Sequence, residues 1–323
     1  MHKPPNPVRF HLTYGGDGDD RSATQPRDVA REKARALREE HRKQERRRRL
    51  YLRGGIVVGI IAVALIITFV VIGSIPKPAS GPLNMASDGI VIGKGDKVVQ
   101  TPAISAADKP IATERDKNSS VISIRLYVDY FCPLCKSFQT TNGDQLSKWL
   151  KSGAITLEIH PIALFDRSSL GSAYSTRAAN AAACVANYSP NNYWTFTQRM
   201  FAKQPAQNTA GLTNAQIVSV IKASGVHNLA RITDCVDTER FKIWVSSATD
   251  RALAGPLPDS TAKKVAAAPT VIVDGQAFPI TSADVSSAAA FTSFVEQTAG
   301  AQFSGTSTPT PAPTVTVTPT PAG

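Results

Sequence analysis

Cys132 and Cys135 stand three apart in "VDYFCPLCKSF", residues 128–138, with Pro133 and Leu134 between them. Two thiols at that spacing suit dithiol–disulfide exchange, half of a tetrahedral metal site, or a structural staple. The flanking sequence separates these. In "VISIRLYV", 121–128, Ile122, Ile124, Leu126 and Val128 share one apolar face, which predicts a strand packed on a core. "PLCKSFQTTNGDQLSKWLKSG", 133–153, predicts a helix with a break at Asn142–Gly143. Cys132 therefore falls where strand passes into helix. Pro133 suits the first helical position, where its missing N–H would have no intrahelical partner. Free N–H groups and the positive end of the helix dipole then face the Cys132 sulfur and lower its pKa. Cys135, one turn deeper, is placed to close the disulfide. This is the geometry of exchange chemistry. A metal site would need a second ligand pair, whereas Cys184, Cys235, His160 and His227 each stand alone. No metal or organic cofactor is expected.

The compartment follows from charge and hydropathy. The chain has 323 residues and a formal charge of +11, with 15 Lys+Arg against 8 Asp+Glu in residues 1–53. Most of the excess lies in a segment too polar to form a core, which argues against a nucleic-acid-binding domain. From Gly54 to Ile75 there are 22 residues without a formal charge, the length of a single transmembrane helix. Arg46–Arg49 and Arg53 precede it and only Lys77 follows closely, so the N-terminus is expected in the cytoplasm and the remainder outside. The stretch is too long and too far from the N-terminus for a cleaved signal. All four cysteines then lie outside the membrane. Oxidising conditions there favour a structural disulfide between Cys184 and Cys235 over two buried free thiols.

The expected organisation is a basic arm at 1–53, irregular over 1–26 and helical from Asp28 to Leu50, and a membrane helix at 54–75. A linker at 76–88, a folded region at 89–299 and a disordered Thr/Pro-rich tail at 300–323 follow. Within the folded region "GIVIG", 89–93, and "AITLEIHPIAL", 154–164, predict strands. Helical patterns occupy about 172–253, with Thr213 and Gln216 forming a capping box. "APTVIVDGQAFPI", 268–280, predicts a hairpin turning at Asp274–Gly275, before a closing helix capped by Ser282. Strand, C-x-x-C helix, strand, helical block, hairpin and helix make an α/β thioredoxin fold with an inserted helical domain. In "NYSPNNYWTFTQRMF", Tyr193, Trp194 and Phe201 either pack the core or border a client groove.

"DYFCPLC", the helical insertion and "APTVIVDG" together resemble the DsbA-like thiol:disulfide oxidoreductases of bacterial envelopes, over about 89–299. The cysteine arrangement is most similar to membrane-anchored members with a second disulfide in the insertion. The resemblance implies that Cys132 is the surface nucleophile and Cys135 its resolving partner. It implies that Pro269 is a cis-proline facing them, and that Ala268 offers its backbone to an extended client beside Pro133 and Leu134. It implies as partners unfolded, cysteine-containing secreted proteins and a membrane oxidase of the DsbB or vitamin K epoxide reductase-like kind.

The chain departs from that family in three places. Leu134 stands where strongly oxidising members carry His, so the Cys132 pKa is expected to be less depressed and the potential less oxidising. Leu126 stands where many relatives keep a buried acid. Asp129 is nearer the cysteines, as a proton-transfer group or simply the end of the strand. "STAKKVAAAPT" lacks the Gly often found before the cis-proline step. The expected function is disulfide formation in secreted or envelope proteins. The alternatives are a reductase or isomerase on the same fold, and a non-catalytic envelope-binding module.

Overall fold

The computed structural model describes residues 24–73, 79–115 and 119–306. The chain divides into two units, 1–76 and 77–323. In the first, a single helix α1, Thr24–Gly73, joins the basic and apolar stretches without interruption. It begins four residues before the expected Asp28. Among the described residues no helix is long and apolar enough to cross a membrane. The apolar stretch 54–75 ends outside them, as do most of the irregular arm at 1–26 and the tail beyond Thr306.

The second unit is built on one six-stranded sheet in the order β2-β1-β4-β3-β5-β6. Its strands are β1 Ile90–Gly93, β2 Lys97–Val98, β3 Ile122–Val128, β4 Ile155–Pro161, β5 Thr270–Val273 and β6 Gln276–Ala277. β3 and β4 run parallel, with Leu126 beside Ile159, while β5 lies antiparallel to β3 with Val271 beside Leu126. Parallel neighbours need a crossover, which α2, Pro133–Ser152, supplies. The break expected at Asn142–Gly143 does not occur. Asn142 donates to the Phe138 carbonyl from within the helix, and a Cβ on Gly143 would lie 2.6 Å from the Gln139 side chain.

Ile124, Leu126, Leu157, Ile159, Val271 and Val273 bury one sheet face with Phe138, Leu146 and Phe291. Each such side chain contributes about 1.5–3 kcal/mol on burial. The opposite face, where Arg125 and Tyr127 point, is buried too. The segment before β3 covers it. Arg125 Nε donates to Glu158 Oε2 at 2.7 Å, and Ser87 and Thr113 donate to Glu158 Oε1. Tyr127 stacks on His160 with ring centroids 4.3 Å apart. The linker expected at 76–88 is correspondingly shorter. Ser80 bridges Ser105, Gly81 N–H donates to the Ile104 carbonyl, and Met85 is core, so residues 79–88 belong to the folded unit.

Between β4 and β5 lie α3 Tyr174–Tyr188, α4 Tyr193–Ala202, α5 Asn214–Ala223, α6 Leu229–Asp237 and α7 Lys242–Ala254. Thr213 and Gln216 form the expected capping box at α5. Cys184 and Cys235 are disulfide-bonded, tying α3 to α6 across 51 residues of sequence. Closing that loop stabilises the fold by on the order of 4 kcal/mol in the chain-entropy model. The Asp274–Gly275 turn carries positive φ at both residues, 45° and 84°, the requirement of a two-residue hairpin. The closing helix is divided into α8, Ser282–Val285, and α9, Ala288–Thr306. Its cap is Thr281, reciprocally bonded with Asp284, rather than Ser282. α9 also runs past residue 300, where the tail was expected to begin.

Candidate active site

β3 ends at Val128, and a turn closed by the Cys132 N–H on the Asp129 carbonyl, 3.0 Å, carries the chain into α2. Cys132 is itself the N-cap of α2 and Pro133 its first residue. The Cys132 Sγ accepts from the Cys135 N–H at 3.3 Å and donates to the Ala268 carbonyl at 3.1 Å. The Ala268–Pro269 bond is cis, as the resemblance implied, and so is Gly255–Pro256, which the sequence did not suggest. Cys132, Cys135, Ala268 and Pro269 are therefore brought to one place, although 136 residues separate Cys132 from Ala268.

Both Cys132 and Cys135 are free thiols. A hydrogen bond with the Cys135 side chain lowers the Cys132 pKa against the opposing effect of burial. The N–H groups of Cys135 and Leu134 lower it further, while the Asp129 charge raises it. Burial, the bond to Cys132 and the Cys132 charge push Cys135 well above the ordinary thiol value. The pair is split into one thiol that ionises more readily than an ordinary cysteine and one that ionises less readily.

Cys132 is not a surface group, as had been expected. It is 1% exposed, because its sulfur is turned onto the Ala268 carbonyl. The surface beside the pair is Pro133 and Leu134, the latter 36% exposed. That same Ala268 carbonyl was assigned to an extended client. Here the thiol occupies it.

Asp129 ends the strand, and it also does more. Its fully buried carboxylate accepts from the N–H groups of Phe131, Leu164 and Phe165 and from the Ser175 hydroxyl. Burial raises its pKa to about 6 despite these four donors. Leu126 is ordinary core. Tyr193, Trp194 and Phe201 are buried in the core rather than bordering a groove. Trp194 Nε1 donates to Ser147 Oγ of α2, and the Phe201 ring lies 5.1 Å from Tyr130.

Two residues that sequence reasoning passed over also reach the site. Gln204 donates to the carbonyls of Tyr130 and Cys132, and Gln207 to that of Phe131. Nothing in "KQPAQN" marks these amides, since glutamines in a loop are ordinary solvent-facing residues. Among the described residues no cluster of three or more His, Cys, Asp or Glu could hold a metal ion.

The sequence matches the family model described as Thioredoxin over residues 116–296. No curated protein matches it. Among solved structures it is similar to the reduced form of the disulfide bond oxidoreductase DsbG from Mycobacterium tuberculosis. That pair is 25% identical over 65% of this chain and 86% of the other, with a TM-score of 0.47. Oxidised DsbA from the same organism is likewise 25% identical, over 66% and 93% of the two chains, at 0.47. BdbD from Bacillus subtilis is 17% identical, over 70% and 100%, at 0.48. With the family match covering more than half its length, this chain belongs to the thioredoxin family and carries helices α3 to α7 inserted between β4 and β5.

Proposed function

We propose that this chain is a membrane-tethered, DsbA-like protein thiol:disulfide oxidoreductase that forms disulfides in secreted or envelope proteins. The observation that carries the proposal is the asymmetric dithiol at the N-terminus of α2. The pKa of one sulfur is lowered and that of the other raised, and the Cys132 sulfur lies against the Ala268 carbonyl beside Pro269. In the oxidised enzyme a client thiolate attacks the Cys132 sulfur. The Cys132–Cys135 bond breaks, a client–Cys132 bond forms, and Cys135 leaves and takes up a proton. A second client thiolate attacks the client sulfur of this mixed disulfide and releases Cys132 as thiolate. The client loses two electrons, which end on the reduced pair. A membrane oxidase of the DsbB or vitamin K epoxide reductase-like kind then withdraws them.

The uncharged stretch 54–75 behind the arginines of 46–49 supports a single-pass anchor with its N-terminus in the cytoplasm. Facing outward, the catalytic unit meets clients as they emerge.

Leu134 favours a second reading, a reductase or isomerase. An exposed leucine supplies no positive charge to the Cys132 thiolate, so the reduced form is less stabilised than in Pro-His members. Equilibration with glutathione separates the two. The oxidase reading predicts a potential between about −120 and −200 mV, and a value near about −270 mV, that of thioredoxin, would make the chain a reductase.

A further inference from the structure

The turn that presents Cys132 is fastened from two sides. On the inner side the Asp129 carboxylate takes the Phe131 N–H at 2.7 Å. On the other, three consecutive carbonyls meet the loop that follows α4. Gln204 Nε2 donates to the Tyr130 carbonyl at 3.1 Å and to the Cys132 carbonyl at 2.9 Å, and Gln207 Nε2 donates to the Phe131 carbonyl at 3.4 Å. Side chains from some seventy residues away thus take up acceptors that would otherwise need water or another partner. The two glutamines are three apart in "QPAQ", and their loop belongs to the helical insertion, outside the thioredoxin core.

The Cys132 carbonyl is not an incidental acceptor. It also receives the Lys136 N–H at 3.1 Å, the bond that begins α2. The orientation of this peptide decides whether the Cys132 sulfur stays on the helix N-terminus, 3.3 Å from the Cys135 N–H. The carbonyl oxygen is also the negative end of a dipole on the very residue whose sulfur must become anionic. An amide donor placed on it offsets that negative end.

We propose that Gln204, assisted by Gln207, is a positioning residue for thiol–disulfide exchange, holding the Cys132 carbonyl so that the helix N-terminus stays aimed at the sulfur and the thiolate is favoured. The inference rests on the exchange reading above. It gives the insertion a part in the chemistry: the α4–α5 loop reaches back to tune the nucleophile.

The test is a pH titration of thiolate ultraviolet absorbance on the reduced full-length chain, with Cys132→Ser identifying the Cys132 signal. Gln204→Met keeps the side-chain size and removes the donor. It is expected to lower the thiolate-to-thiol ratio of Cys132 at fixed pH by roughly two- to tenfold, the span of one hydrogen bond's net worth. Gln207→Met, which loses the longer bond, should lower it less. Gln204→Glu puts a carboxylate against the same carbonyls and should lower it more than Gln204→Met. Thermal unfolding is followed in parallel, because a merely structural role would move stability and leave the titration in place. Wild-type titration in both Gln204→Met and Gln204→Glu would overturn the inference. If one of them does not fold, wild-type titration in the other does so. If Cys132 ionisation shifts in the Gln204 variants while the wild-type protein exchanges no disulfides, the activity falls and the role of Gln204 in thiol ionisation stands.

Discussion

Cys132→Ala is expected to reduce disulfide transfer to the uncatalysed background, and Cys135→Ala to arrest the client as a mixed disulfide on Cys132. The two outcomes differ because the environments of the two sulfurs differ. Cys132 accepts the Cys135 N–H at the end of the α2 dipole, so it is the sulfur that leaves and attacks readily. Cys135 is as buried as Cys132, but its pKa is raised well above the ordinary thiol value, which makes it a poor nucleophile toward an outside disulfide and a resolving group for a bond already formed beside it. In Cys135→Ala the single remaining active-site thiol must first be presented with a client disulfide. Attack by the Cys132 thiolate breaks that disulfide, expels one client thiolate and leaves a Cys132–client bond with no Cys135 beside it to resolve it. Non-reducing gels with mass spectrometry of the trapped species check this, and a client found on Cys135 in Cys132→Ala at comparable yield would reverse the assignment. The 1% exposure of Cys132 adds a condition. The S–H bond to the Ala268 carbonyl exists only while Cys132 is a protonated thiol, so ionisation or oxidation frees that acceptor. On the proposed mechanism an extended client is expected to take it up by strand addition.

The second large effect is on stability. Arg125→Met is expected to cost about 3–5 kcal/mol at neutral pH, because it leaves a buried carboxylate without its guanidinium partner. Both side chains of the Arg125–Glu158 pair are nearly inaccessible, at 7% and 5% exposure. Arg125 also donates to the Pro258 carbonyl at 2.7 Å, so the variant frees a second acceptor. Burial by itself would raise the Glu158 pKa. The adjacent His160 and Arg125, with the Ser87 hydroxyl, overcome it and hold the carboxyl well below the usual range. A carboxyl with a depressed folded-state pKa contributes stability above its ordinary value of 4.5 and loses it as the pH falls toward the folded one. The difference between wild type and Arg125→Met should therefore be greatest at neutral pH and shrink below about 4.5. Denaturant unfolding at pH 7 and at pH 4 measures it.

What could be read in advance was what short segments determine. The alternation of "VISIRLYV", the Pro133 start of α2, the Thr213–Gln216 cap and the Asp274–Gly275 turn depend on neighbours within a few residues, and each stands in the structure. The site pair was legible for the same reason: a cysteine three before another, followed by proline, writes its own helix N-terminus. What escaped depends on distant chain. Arg125 looks like the solvent face of a half-buried strand until the segment carrying Ser87 and Thr113 closes over it. Cys132 looks like a surface thiol until the strand that begins beyond Ala268 folds against it. Gln204 has no local signature, because its only distinction is a pair of carbonyls more than seventy residues away. Thr281 in place of Ser282 is a different kind of miss. Two hydroxyl residues stand side by side, and Asp284 selects the one that lies three residues before it.

The central claim is that oxidised Cys132–Cys135 passes its disulfide to other proteins through Cys132. Refolding of a reduced, disulfide-dependent test protein by the oxidised full-length chain, with wild type and Cys132→Ala side by side, measures this most directly. The account predicts that wild type restores native disulfides while its own pair becomes reduced in equal amount, and that Cys132→Ala restores none above background. Equal recovery with both proteins would contradict it and leave a fold that binds clients without chemistry.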